Sequence, residues 1–494
     1  IFEQAENAGS EITYRCINCR DCKDCKNNAS TESISIREEI EQQIINRSVT
    51  IDIANRTSYA HLPLLHKPEV KLSNNKHKAL KVYYQQLKKL DNNPSDKADV
   101  LLSEKKMHTL GFVDYVENMT PSQQNLLNDS EIVNYIPWRA VWKPNSLSTP
   151  CRVVFDASQP TNSGYSLNDI LAKGTNNMNS LIELLIRWTS HQTVFHTDVR
   201  KMYNSVKLVE SHWCLQRYIW EENLDRTRIP KEKIIKTLIY GVKSSGNQSE
   251  RALRGTARLS KDEYPDAYEV ITKDVYVDDC LSGAESMSAA IKLADGLEVV
   301  VNRGGFALME VTFSKQTPDK DSLPMVKASV WLIHRTGDAS KHIACVAIYA
   351  RFKRKSGGYS SQLVFSRSRL VPDAHPHLAR AELYAATLNA HTGEVVRRAF
   401  QKHHQSSLKL TDSQIVLFWL HSDKQLKPYV RNRVNEVHRF TNPDDWRFVK
   451  SQDMIADIGT RKGVSLNEIC QDSKWFNGFP WMKRISGNLP NQDC

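Results

Sequence analysis

The chain has 494 residues, 40% of them hydrophobic and 25% charged. That length holds two or three cores, and that balance excludes a disordered chain and a bilayer-embedded one. No apolar run approaches the roughly 20 residues of a membrane span, and no N-terminal pattern marks a secretory leader, so an intracellular protein without membrane contact is expected. The net charge of +11, from 67 Lys and Arg against 56 Asp and Glu, suits attraction to a polyanion or ordinary solubility. The first residue is Ile1 rather than Met, as expected of a fragment or a processed product.

In chain order, residues 1–60 read as a Cys-containing linker with a charged helical run from Ile36 to Ile45. Cys16, Cys19, Cys22 and Cys25 stand at strict three-residue spacing. Zinc sites usually place two Cys-x-x-Cys pairs farther apart, and the run also resembles iron–sulfur spacing. Zn²⁺, no metal and, less favoured, an iron–sulfur cluster stay open. The Lys and Arg residues among the thiols suit a small nucleic-acid-binding knuckle. The other six cysteines are scattered, as in a reduced intracellular chain.

Residues 61–135 read as a helical lead-in. Lys76 to Leu90 repeats apolar residues at helical spacing, and Thr120-Pro121-Ser122 starts a helix reaching about Leu127, with Thr120 as N-cap and Pro121 in the first turn. From Ile136 to about residue 320 short β-type runs alternate with helical ones: Arg139 to Lys143, Arg152 to Phe155, Ser180 to Trp188, Thr193 to Asp198, Lys273 to Val277 and Ser286 to Val301. This is an α/β (α+β) pattern with at least one multi-strand sheet. A polar stretch, Ser314 to Asp321, breaks it. A second α/β pattern begins near Asp338, with strand-like His342 to Arg351 and Ser360 to Phe365, helix-like Leu378 to Ala390, strand-like Ser407 to Leu410 and helix-like Ser413 to Leu420. The expected division is 321–335 as a truncated connection, 336–465 as the second domain and 466–494 as a tail.

Val275-Tyr276-Val277-Asp278-Asp279-Cys280 puts adjacent carboxylates at a hairpin tip. Neighbours on a strand face opposite ways, so Asp278 is the one expected to aim at a shared metal, with Asp279 a weaker contributor. Asp198, ending the buried-strand pattern Thr193 to Thr197, supplies a second element. Such carboxylates bridge two Mg²⁺ ions about 4 Å apart and serve phosphoryl transfer, which needs mostly positioning and charge neutralisation. Alone, the tetrapeptide fits a solvated turn equally well.

Three segments together resemble reverse transcriptases of the BEL/Pao class of long-terminal-repeat retrotransposons: Cys151 to Ser158, Phe195 to Tyr203, and Tyr276 to Asp279. The resemblance runs from about residue 10 to about residue 482. It implies a fingers/palm domain over 136–320 whose catalytic carboxylates are Asp198, Asp278 and Asp279, served by Mg²⁺ or Mn²⁺. It implies that Tyr203 blocks a ribose 2′-hydroxyl, that Arg152 grips the incoming deoxynucleotide triphosphate with help from Lys143, and that Gly241 lets backbone approach the template–primer. For Tyr203 a core aromatic and for Gly241 a simple turn remain the plain readings.

The same resemblance makes Asp338, Glu382, Asp412 and Asp457 the metal-binding carboxylates of a ribonuclease H-like mixed-sheet domain. Without it, four carboxylates among 56 acidic residues read as solvated surface. The implied partners are an RNA template, a DNA primer and an RNA–DNA hybrid, recognised by shape and 2′-hydroxyls, in the cytoplasm, within a virus-like particle, or in the nucleus. The basic run Arg351 to Lys355 suits phosphates or a solvated strand end. Two departures stand out: Phe448 where many relatives have His, and the polar lead His334-Arg335-Thr336-Gly337 into Asp338. Phe306 to Asp338 is only 32 positions, too short for the thumb and connection that relatives hold there. Weak, poorly processive polymerisation is therefore expected, and the flanking protease and integrase are missing from the chain. The alternatives are an inactive remnant that only binds nucleic acid, and a zinc or iron–sulfur regulatory protein led by the cysteines.

Overall fold

A computed structural model describes residues 36–142, 151–315, 331–353, 358–372, 377–400, 406–470 and 473–483. Cys16, Cys19, Cys22, Cys25 and Lys143 lie outside the described residues. The chain forms two compact units: Ile1–Met178 with Thr197–Cys280 and Leu293–Val311, and Asn179–His196 with Leu281–Lys292 and Thr312–Cys494. Among the described residues no helix is long and apolar enough to cross a membrane.

Strands β1 (Val49–Asp52), β2 (Thr57–Ala60), β3 (Val113–Tyr115), β4 (Trp138–Trp142), β5 (Cys151–Phe155), the end of β6 (Thr193–Asp198), β7 (Val206–Leu208), β8 (Arg217–Trp220), β9 (Lys231–Ile235), β10 (Val275–Tyr276) and the start of β11 (Asp279–Ala284) belong to the first unit. Where it is described, the segment expected as a linker is ordered. Helix Ile36–Arg47 leads into the β1–β2 hairpin, paired from Val49↔Ala60 to Asp52↔Thr57. Strands of four residues are too short to show periodicity. The turn between them is fixed by Asp52, whose carboxylate accepts from the Asn55 backbone N–H at 3.0 Å and from Asn55 Nδ2 at 2.7 Å.

The helical lead-in forms as its pattern dictates. Helix Lys76–Leu90 buries Ala79, Tyr83, Leu87 and Leu90 along one face. Helix Pro121–Asn128 opens on a capping box: Thr120 Oγ1 accepts from the Gln123 N–H, and the Gln123 side chain accepts from the Thr120 N–H. These helices and β3–β5, β8 and β9 enclose an aromatic core, with Trp138 and Trp220 ring centres 5.1 Å apart and Phe155 and Tyr218 5.2 Å apart.

The second unit holds the rest of β6 and β11, β12 (Thr312–Lys315), antiparallel to β6 from Thr312↔His196 to Lys315↔Thr193, and a five-stranded sheet. Its strands are β13 (Trp331–Ala339), β14 (Ile343–Lys353), β15 (Tyr359–Leu370), β16 (Ser406–Thr411) and β17 (Trp446–Phe448), in the order β15-β14-β13-β16-β17. β13, β14 and β15 pair antiparallel; β16 and β17 run parallel to β13. Helix Leu378–Ala399 covers the sheet through Ala381, Ala385, Leu388 and Val396, and Ile186 of helix Leu181–Ser190 joins the same core.

The polar lead into Asp338 is interior strand. His334, Arg335 and Thr336 are all buried, and burial pushes the His334 imidazole down to about 3, so it sits neutral against the Trp481 ring. Thr336 Oγ1 is satisfied by donating to the Ala347 carbonyl at 2.9 Å. The basic run beginning at Arg351 is not simply a solvated strand end either: Arg351 is buried, its guanidinium 3.8 Å from the Tyr359 ring centre.

Candidate active sites

In the first unit β10 and β11 form a hairpin in which Val275 pairs with Cys280 and Tyr276 with Asp279, leaving Val277 and Asp278 as its two-residue tip. Val277 takes a φ of 60°, which a β-branched residue adopts only when its surroundings hold it there. The tip is tied to the end of β6: the Val199 N–H donates to the Asp278 carbonyl at 2.7 Å, and the Met309 N–H to the Asp198 carbonyl at 2.8 Å. Two separate strand ends thus bring Asp198 and Asp278 together, with Asp279 one residue further along β11 and exposed.

The side chains around them are charge-coupled. Burial, then the Asp278 carboxylate, raises the Tyr203 hydroxyl above its ordinary range. Tyr240, half exposed overall, is raised by desolvation first, then by Asp278 and Tyr203; Asp198 pushes the same way and Arg152 opposes. The two rings stack 4.4 Å apart. Arg152, exposed on β5 opposite Val141, therefore shares a neighbourhood with both carboxylates and both tyrosines. Tyr240 was not singled out from the sequence, although it stands beside Gly241.

Gly241 has a φ of +106°, and a Cβ there would run into the Phe155 carbonyl oxygen. Its carbonyl accepts from Asn168 Nδ2 at 2.9 Å. The close approach this glycine permits is thus to β5, the strand that carries Arg152. Gly241→Ala is expected to destabilise the first unit by at least about 2 kcal/mol, because neither the φ nor the backbone contact can relax cheaply. Urea unfolding of the full chain, followed by a probe in that unit, measures it.

The second group sits on the five-stranded sheet. β13 and β16 run parallel with Thr336 opposite Leu410, so two residues further on each chain Asp338 and Asp412 come level. Glu382 lies on helix Leu378–Ala399 and accepts from Ser413 Oγ at 2.5 Å. Asp457 lies in the turn Ile455–Gly459, where Gly459 has no Cβ to meet Cys345 Sγ, so the turn packs against β14 beside Asp338. Thr460 Oγ1 donates to Asp338 Oδ2 at 2.5 Å, and Arg461 Nε to Asp457 Oδ2 at 2.9 Å. Ser413, Thr460 and Arg461 were not singled out from the sequence. Phe448 ends β17 and is 38% exposed.

Neighbouring charge reaches Asp338, Glu382 and Asp457. Asp338 is pushed up to about 6 by burial and by the charges of Asp412 and Asp457, against the Thr460 bond. Glu382 is raised by burial and by Asp412, and Asp457 likewise, with Arg461 pulling it down. Because the folded Asp338 keeps its proton to a higher pH than the unfolded chain, its contribution to stability is present at low pH and is lost as pH rises through about 6. A carboxyl ¹³C titration is expected to give Asp338 a midpoint near 6, lower in Asp412→Asn; a midpoint near the ordinary value of 3.8 contradicts the coupling. Among the described residues no three His, Cys, Asp or Glu side chains stand close enough to hold a metal ion.

The strand order defines an α/β domain built on a five-stranded mixed sheet. Residues 314–413 match the family model of the Pao retrotransposon-like RNaseH-like domain, so the chain carries such a domain. No curated protein matches. The chain is similar to the foamy viral protease–reverse transcriptase solved with an RNA/DNA hybrid, at 11% identity and TM-score 0.42, over 67% of this chain and 53% of that one. It is similar to a dRH form of that protein solved with double-stranded DNA, at 10% identity and TM-score 0.45, over 72% and 70%. It is also similar to the protease–reverse transcriptase with double-stranded DNA, at 11% and 0.43, over 72% and 83%. The chain thus spans about half the length of the first of these.

Proposed function

We propose that the chain is an RNA-directed DNA polymerase with an attached ribonuclease H, acting on an RNA template, a DNA primer and their hybrid inside the cell, in the cytoplasm or nucleus. The observation that carries this reading is that Asp338 and Asp412 stand level at the ends of two parallel strands of one mixed sheet, with the turn that holds Asp457 packed beside Asp338. Neighbouring carboxylates in a partly buried site call for a cation, and an all-oxygen set suits Mg²⁺ or Mn²⁺. Asp338, Glu382, Asp412 and Asp457 would hold it in the nuclease unit, and Asp198, Asp278 and Asp279 in the polymerase unit. Bound there, the metal supplies charge neutralisation for phosphoryl transfer.

The chain's own residues do the rest. Asp198 and Asp278, fixed through their backbones, present carboxylates to the reacting phosphate's counter-ions. Tyr203, with the Tyr240 ring beside it, would block a sugar 2′-hydroxyl, and Arg152 would offer a fork of donors to the triphosphate. One observation favours the second reading, an inactive remnant that only binds nucleic acid: only the 15 residues 316–330 separate β12 from β13, too few for a helical thumb. Primer extension on an RNA template with Mg²⁺ tests this directly. Extension that is short, distributive and lost in Asp278→Asn supports the first reading; no Asp278-dependent extension leaves the binding remnant.

A further inference from the structure

Three of the four nuclease-unit carboxylates have a hydrogen-bond partner: Glu382 has Ser413, Asp338 has Thr460 and Asp457 has Arg461. Asp412 has none among the described residues. Thr460 and Arg461 follow Asp457 in one turn, so a single stretch of five residues supplies one carboxylate and restrains another. Arg461 differs in kind from the two hydroxyls, because it brings a charge. Its Nε faces Asp457 Oδ2 at 2.9 Å while its Nη2 reaches Glu468 Oε1 at 3.2 Å. Its fork is therefore split between two carboxylates rather than closed on one.

We infer that Arg461 is a displaceable placeholder for the divalent cation, neutralising Asp457 until the metal arrives and then passing to Glu468. The inference rests on the proposed metal site. Two cations on one carboxylate repel each other, so a bound metal weakens the guanidinium's hold on Asp457 and favours its transfer. The pair is weak enough to yield: the Asp457 and Arg461 side chains are 42% and 47% exposed, and ion pairs of this kind contribute little. Glu468 gives the displaced guanidinium a second partner, and it is itself fixed by accepting from the Ser465 N–H at 2.9 Å.

The test is Mn²⁺ binding to the full chain, read by the electron paramagnetic resonance of free Mn²⁺, with Asp412→Asn marking the share that belongs to this cluster. Arg461→Gln is expected to tighten that share about two- to fivefold at low ionic strength, the gain shrinking with salt. Arg461→Lys, which keeps a cation, stays closer to the unaltered protein. Glu468→Gln moves the opposite way and weakens binding, since Arg461 then rests on Asp457 alone. Equal or weaker binding in Arg461→Gln, or tighter binding in Glu468→Gln, overturns the inference. Absence of any Asp412-dependent binding in the unaltered chain would instead overturn the metal site, and the inference with it.

Discussion

Asp412→Asn is expected to lower cleavage of an RNA–DNA hybrid by at least about a hundredfold, equivalent to about 2.7 kcal/mol of transition-state stabilisation, while leaving the fold intact. Asp412 stands directly after β16, level with Asp338, and no hydrogen bond of its side chain is lost among the described residues when it becomes an amide. Its charge raises the proton affinity of Asp338, Glu382 and Asp457. Removing that charge relieves three neighbours, so thermal stability near neutral pH should hold or rise as activity falls. That opposite movement separates a metal-binding role from a structural one. Cleavage that survives the substitution, or falls only together with stability, contradicts the assignment.

The largest structural effect is expected at Glu104. Its carboxylate accepts from Lys233 Nζ at 2.6 Å and from the Tyr218 hydroxyl at 2.7 Å, with the Lys233 and Glu104 side chains 2% and 5% exposed. Glu104→Ala leaves the Lys233 ammonium buried without its counter-charge. Its remaining company is the face of Tyr115, 4.2 Å from ring centre to nitrogen, and the more distant Trp220. Breaking a buried pair from one side costs about 3–5 kcal/mol, whereas replacing both members with apolar groups of similar size is often near neutral. Glu104→Met with Lys233→Met should therefore recover most of what Glu104→Ala loses. Urea unfolding with a probe in each unit measures this, because two compact units need not melt as one transition. The first unit's midpoint should move and the second's should not.

The proposed carboxylate positions are more legible in the sequence than the contacts around them. Asp198 ends a mostly apolar strand run and Asp278 stands at a hairpin tip just after another, positions visible without tertiary information. The capping box at Thr120 and the apolar stripe from Ala79 to Leu90 are equally local. The first strand of the five-stranded sheet is not: His334, Arg335 and Thr336 are polar residues buried in its middle, which no local pattern announces. The Val277 backbone is likewise imposed by tertiary ties rather than by its own preference. Thr460 meets Asp338 across 122 residues and Ser413 meets Glu382 across 31, separations over which no spacing rule operates. Tyr240 reads as an ordinary aromatic until its ring is found on Tyr203.

The central claim is that one chain carries two carboxylate sites that act separately. It is tested most directly on a single labelled DNA primer annealed to an RNA template, supplied with deoxynucleotides and Mg²⁺, following primer length and RNA length together. The account predicts that Asp278→Asn loses extension and keeps RNA cleavage, while Asp412→Asn loses cleavage and keeps whatever extension the intact chain shows. Intact chain that neither extends the primer nor cuts the RNA, or variants that leave both products unchanged, would contradict it.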